Sequence, residues 1–322
     1  MANPARDARD KAQTKWPGAS VFARGRTSIT HQHPTEPNRF MVDTSIGPLH
    51  IEGTETEIDT AIQASSGAWQ YEMVQADYNV HMRDVFNAGN LIEYRDPVSN
   101  EWVIFDPQSI NWIDENTSRQ QIAIKQSVNA VVNDDILSFP AGYGTGKHFQ
   151  YTCEPGRIQK IITVDSFTDL PAPTVLGNEI WFESEFSLST SSGVTIWLDG
   201  VQWAKANNVR VQTSNRIEFR DSNGEQVFWG LDFPRAWDSE GNEIIGQMEV
   251  RRQGGPASLF VTVRIPYAWM QAATYPVYID PTITPSVSAG DRDAYEQQSD
   301  TNFDATGTNI RCSANTTLAN TQ

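Results

Sequence analysis

The chain has 322 residues, 39% hydrophobic and 20% charged, with 10 Trp, 9 Tyr and 14 Phe. That aromatic load excludes a disordered chain, because bulky apolar groups can offset the entropy of ordering, and no run reaches the ~18 apolar residues that span a bilayer. A formal net charge of −16 repels nucleic-acid phosphates and anionic lipid, so neither a nucleic-acid partner nor membrane insertion is expected.

Residues 1–39 carry seven basic groups (Arg6, Arg9, Lys11, Lys15, Arg24, Arg26, Arg39) against three acids, a net +4 that leaves −20 for the remainder. With Pro17-Gly18 and His33-Pro34 as breakers, the segment reads as an irregular arm. A basic arm on an acidic body is expected to dock on a neighbour's acidic surface, with Trp16, Val21 and Phe22 as groups to bury. Its polar start, Met1–Asp10, lacks the apolar core of a secretory signal. Two cysteines, Cys153 and Cys312, make no disulfide framework, so export through an oxidising compartment is not expected.

One short helix is predicted next. Thr54-Glu55-Thr56-Glu57 has the letters of a capping box, Ile58 and Ile62 fall on one helical face, and Ser65-Ser66-Gly67 closes the element.

Most of the remaining chain has the period of a strand. Ile180, Phe182, Phe186 and Leu188 alternate with Glu183, Glu185 and Ser187, and Leu259, Val261, Val263 and Ile265 alternate with Phe260, Thr262 and Arg264. Shorter runs are Leu91–Tyr94, Trp102–Phe105, Gln121–Lys125, Val194–Leu198, Ile217–Phe219 and Val227–Trp229. Asp199-Gly200, Asp221–Gly224 and Asp238–Gly241 supply the positive φ angles of tight hairpins. The fold class expected is mainly β, with antiparallel sandwich or jelly-roll domains in tandem, one short helix and the irregular N-terminal arm. Pro171-Ala172-Pro173 reads as a hinge between a β-rich domain (40–170) and a β-sandwich module (174–284). A Ser-, Thr-, Asn- and Gly-rich segment (286–322) is too short for its own core, as if a further domain begins there.

The candidate chemistry is sparse. Gly142–His148 resembles a phosphate loop, but Ala141 and His148 stand where a Gly and a Ser or Thr are needed. His31 and His33 lack further ligands at metal spacing, and the acidic loops Asp221–Glu225 and Asp238–Glu243 stop short of a calcium pattern. No cofactor is expected. The strongest enzymatic option is glycoside cleavage by Glu183 and Glu185, which share a strand face ~7 Å apart, with Trp181, Trp197 and Trp203 as sugar platforms. An outward-facing acidic pair is also the ordinary solvent side of a sheet.

The stretch Ile217–Thr284 carries a resemblance. It runs through Ile217–Gly224, Val227-Phe228-Trp229, Pro234, Asp238–Gly241 and Leu259–Ile265. It then reads Tyr267-Ala268-Trp269-Met270 and Tyr275-Pro276-Val277-Tyr278-Ile279-Asp280-Pro281-Thr282. This resembles a β-module of bacterial cell-surface (Rhs-type) repeat proteins and of phage structural proteins, with Met270 in place of the usual Leu. There the module is followed by a jelly-roll domain of the DNRLRE type, whose opening Asp293-Ala294-Tyr295, Ser299–Phe303 and Thr308–Cys312 resemble, with Asp304 in place of a Gly. Together these cover about a third of the chain.

The resemblance implies an architectural role without catalytic residues. Pro276 and Pro281, which lack N–H donors, imply an edge strand leading to a rigid exit. The expectation is a bacteriophage virion protein of the tail-fibre, tail-tip or head-fibre class, assembled in the host cytoplasm, since no leader is read at its start. It would dock on other virion proteins through Arg6, Arg9, Lys11, Lys15, Trp16, Arg24 and Arg26. A symmetric homo-oligomer, with a trimer as one form, would then present a host surface glycan or protein with a binding face. The alternatives are a phage polysaccharide depolymerase using Glu183 and Glu185, and a bacterial surface-display protein.

Overall fold

Alternation builds the sheets. In strands Lys147–Glu154 and Arg157–Val164 every second residue is buried, and the two pair from Lys147↔Val164 to Glu154↔Arg157 across a two-residue turn. The computed structural model describes residues 4–24, 28–44, 49–51, 54, 56–203, 210–213, 215–252, 259–280, 282–285, 302–304 and 309–311. The chain divides into two compact units, Met1–Thr284 and Pro285–Gln322.

The first unit is a β-sandwich, and every pairing described in it is antiparallel. One sheet has ten strands. Its centre runs Ile92–Arg95, Trp102–Asp114, Ile180–Thr190, Leu259–Pro266, Gln247–Arg252. The other has twelve, including Ile136–Phe139, Lys147–Glu154, Arg157–Val164, Val227–Leu231, Ile217–Arg220 and Thr195–Leu198. Phe105 on the first packs edge-on against Phe219 on the second at 5.6 Å, and Phe186 lies 6.4 Å from Phe149. Both sheets contribute to one continuous buried apolar core, and at ~25 cal/mol per Å² that burial is the main stabilising contribution.

Pro171–Pro173 is not a hinge. Trp102–Asp114 pairs along its length with Ile180–Thr190, and Arg157–Val164 pairs with Val277–Asp280. The expected domains 40–170 and 174–284 therefore exchange strands within shared sheets. The linking segment is strapped down as Trp112 Nε1 donates to the Pro171 carbonyl at 2.7 Å and Gln120 Nε2 to that of Ala172 at 3.1 Å.

The helix expected at Thr54 is also absent. Ile58 and Ile62 are buried, but in extended chain, their amides donating to the carbonyls of Leu49 and Asp134. Thr54 Oγ1 accepts from the Thr56 amide at 3.0 Å, closing a local turn rather than capping a helix. Among the described residues the α-helices lie elsewhere, at Pro4–Lys15 and Tyr267–Ala272.

The N-terminal segment is thus not irregular. Helix Pro4–Lys15 packs on a three-stranded sheet of Ser20–Arg24, Ser28–Gln32 and Phe40–Thr44. Ala5, Ala8, Ile29 and Leu49, with Val21, form a small core separate from that of the sandwich. In the second unit, Asn302–Asp304 pairs with Asn309–Arg311; Asp293–Tyr295 and Ser299–Thr301 lie outside the described residues. Among the described residues no helix is long and apolar enough to cross a membrane.

Candidate functional site

The signature segment folds back into the sandwich. Helix Tyr267–Ala272 follows strand Leu259–Pro266 directly, its Trp269 half-buried against the core, and Tyr275 Oη donates to the Met270 carbonyl at 2.8 Å. The Tyr275–Pro276 bond is cis. Val277 and Ile279 point into the core opposite Val164 and Ile162, while Tyr278 lies on the other face. The expected edge strand is an interior one: Val277–Asp280 also pairs with Arg235–Trp237 on its far side. Pro276 precedes the paired stretch and costs the ladder no donor; Pro281 lies outside the described residues.

Those pairings open a cleft of about 350 Å³ on the face away from the core. Phe233 and Trp237 form its aromatic walls, and Tyr278 stacks on Trp237 with ring centroids 5.6 Å apart and planes at 21°. Asp280 and Thr282, both nearly buried, contribute to its lining. The Thr282 hydroxyl lies 2.6 and 2.7 Å from the two Asp280 oxygens, and Gln159 Nε2 donates to Oδ2 at 3.0 Å. Burial pushes the Asp280 carboxyl above the usual range, opposed by those hydrogen bonds and by the Lys160 and Arg157 charges. Arg235 lies over the Phe233 ring at 5.1 Å and pairs with Glu243 at 3.2 Å. Sequence reasoning singled out Asp280 and Thr282 but not their neighbours, which come from distant parts of the chain.

Glu183 and Glu185 share a face as the alternation requires, but that face is neither solvent nor a catalytic cleft. Glu183 is fully buried, its carboxylate held by Arg264 Nε at 3.0 Å and Arg119 Nη2 at 2.5 Å. Glu185 takes Arg119 Nη1 at 2.7 Å and Arg251. Arg264 continues to Glu249 at 3.1 Å, so an ion-pair ladder crosses strands Arg119–Ile124, Ile180–Thr190, Leu259–Pro266 and Gln247–Arg252. Carboxylates clamped between guanidiniums in this way are arranged to hold strands together. The aromatic platform does not gather either: Trp197 and Trp203 belong to the other sheet.

The expected docking residues divide. Arg6, Lys11, Lys15 and Arg24 are exposed. Arg9 instead pairs with Glu57, and Trp16 is half-buried within its own module, 5.0 Å from the His33 ring and under Arg39 at 5.3 Å. Arg26 lies outside the described residues. A feature not read from the sequence is an exposed apolar group on the small sheet, where Phe22 and Phe40 meet at 4.7 Å beside Val42.

The other motifs are structural. In Gly142–His148, Lys147 Nζ donates to the carbonyls of Thr145 and Asp169, and His148 accepts from the Ala141 amide. This is a hydrogen-bonded turn, with Thr145 its exposed point. Asp238 closes its hairpin turn by hydrogen bonds from Asn242, Thr274 and Glu240, which hold its carboxyl down to about 2. Burial lowers the His31 pKa, and among the described residues no group of three His, Cys, Asp or Glu could hold a metal. Comparison with family models, with curated proteins and with solved structures finds no match to this chain.

Proposed function

We propose that this chain is a structural component of a bacteriophage virion, of the tail-fibre, tail-tip or head-fibre class. Its N-terminal module docks on other virion proteins, and its sandwich projects a face for host attachment. The observation that carries the reading is that this module has an apolar core of its own within the first unit. It has its own helix, sheet and apolar core, an exposed basic set in Arg6, Lys11, Lys15 and Arg24, and an exposed Phe22–Phe40 pair. Charged residues around a small apolar centre suit a protein interface. The role proposed is architectural rather than catalytic, because Glu183 and Glu185 are occupied by arginines. A symmetric homo-oligomer would present several copies of the body together.

Electron microscopy of virions labelled through this protein tests the reading. Label at a defined appendage is expected; purified particles that carry no label sink it.

A further inference from the structure

We propose that the cleft between Phe233, Trp237 and Asp280 is a binding subsite for an uncharged saccharide. The inference rests on the attachment role proposed above for its biological setting, but its chemistry stands on the cleft alone.

Charge argues first. Two guanidiniums, Arg157 and Arg235, face three carboxylates, Asp232, Glu243 and Asp280. Each guanidinium is already paired, Arg235 with Glu243 and Arg157 with Glu154. No guanidinium is left over to hold a phosphate or a sugar acid, and the other carboxylates are themselves engaged, Asp232 with Arg216 at 3.5 Å and Asp280 with Thr282 and Gln159. What remains is a dense mixture of fixed donors and acceptors, and a ligand that uses both must itself offer both. The hydroxyl groups around the rim of a sugar ring do so.

The aromatic walls supply the second requirement. A pyranose has an apolar C–H face as well as a polar rim, and Phe233 and Trp237 offer flat apolar surface beside the polar groups. Trp237 is braced by the Tyr278 ring, so little rotamer freedom remains to be lost on binding. The Asp280 carboxylate is equally preset, fixed by Thr282 and Gln159 before any ligand arrives. A cleft of about 350 Å³ lies at the small end of ligand sites, with room for one or two sugar rings.

The cleft also has rigid support. Its Arg235–Trp237 wall is a strand paired on both sides, with Glu243–Ile245 and with Val277–Asp280. Affinity at one such subsite is expected near the millimolar range, where ~4 kcal/mol suffices, and several copies on one assembly would raise it through effective concentration.

The test uses the full chain on a microarray of bacterial surface oligosaccharides, followed by NMR titration with glucose, galactose and N-acetylglucosamine. Binding to neutral glycans is expected, with the Trp237 indole resonance shifting. Trp237→Ala should weaken binding about tenfold or more. Thr282→Val, which keeps the side-chain shape, should weaken it with the fold intact by circular dichroism. Binding confined to sialylated or phosphorylated glycans, no binding to any probe, or equal binding by folded Trp237→Ala would each overturn the proposal. The virion reading fails separately: glycan binding by a protein absent from particles removes that reading alone, and a virion protein that binds no glycan removes the subsite alone.

Discussion

Glu183 and Arg264 stand directly opposite one another on neighbouring strands, with Arg264 Nε 3.0 Å from Glu183 Oε2 and both side chains buried. Arg119 shares the same carboxylate. Glu183→Gln would leave two guanidiniums facing a neutral amide, and removing one partner of a buried pair costs about 3–5 kcal/mol. Urea denaturation should show a clearly lowered midpoint; an unchanged one contradicts the buried ladder.

Lys160 is the opposite case. It points into the core beside Tyr151, its ammonium 4.4 Å from the Phe105 ring and 5.4 Å from that of Phe186. Burial pulls its pKa from 10.5 down to about 7, against the pull of the Asp280 charge. The unfolded chain therefore holds the extra proton between those values, and stability rises with pH across that interval. Lys160→Met should be the more stable protein by a few kcal/mol at pH 6, with the gap closing towards pH 10. Parallel denaturation curves for the two proteins across this range, with a constant gap, would count against it.

Cys153 is buried and its thiol is pushed up to about 12, chiefly by desolvation. Since the thiolate is the reactive form, Cys153 in a Cys312→Ser background should resist a thiol reagent at pH 8 until denaturant is added. Rapid labelling of the native protein is the contrary outcome.

Gly146 has φ +69°, and a Cβ there would lie 2.1 Å from Asp169 Oδ2. Gly146→Ala adds left-handed strain of roughly 1–2 kcal/mol to that collision, so melting at a lower temperature is expected. A variant melting with the wild type would show that Asp169 moves aside freely.

The Asp238 carboxyl should titrate near pH 2 rather than 3.8, held down first by the Asn242 side chain and then by backbone amides. Its contribution to stability is present above the unfolded value and disappears as pH falls through about 2. Carboxyl NMR shifts followed from pH 5 to 1.5 check this. A midpoint near 4 removes the claim.

Local rules worked where local forces decide. The alternation at Ile180–Leu188 and Leu259–Ile265 became strands Ile180–Thr190 and Leu259–Pro266. Asp199-Gly200 became a tight turn with φ of 51° and 78°. The rules failed where distant partners compete. Thr54–Glu57 has the letters of a helix start, yet the Leu49 carbonyl and the distant Asp134 carbonyl take the amides of Ile58 and Ile62 and keep them extended. Helix Pro4–Lys15 escaped notice because its buried stripe is Ala5, Ala8 and Ala12, the weakest apolar signal available. The burial of Glu183 depended on arginines at 119 and 264, and the cleft on segments near 157, 235 and 280. Neither juxtaposition has a local period.

The pairing of Arg157–Val164 with Val277–Asp280 bears on how the protein is made. Gln159 and Asp280 are 121 residues apart, a stretch that takes on the order of ten seconds to synthesise. Until then Arg157–Val164 is the open edge of a partial sheet, built with Val131–Asn133, Ile136–Phe139 and Lys147–Glu154, and exposed to any other nascent copy. Crowded synthesis on one message therefore favours aggregates through this edge, and slower expression at lower temperature should raise the yield of native protein.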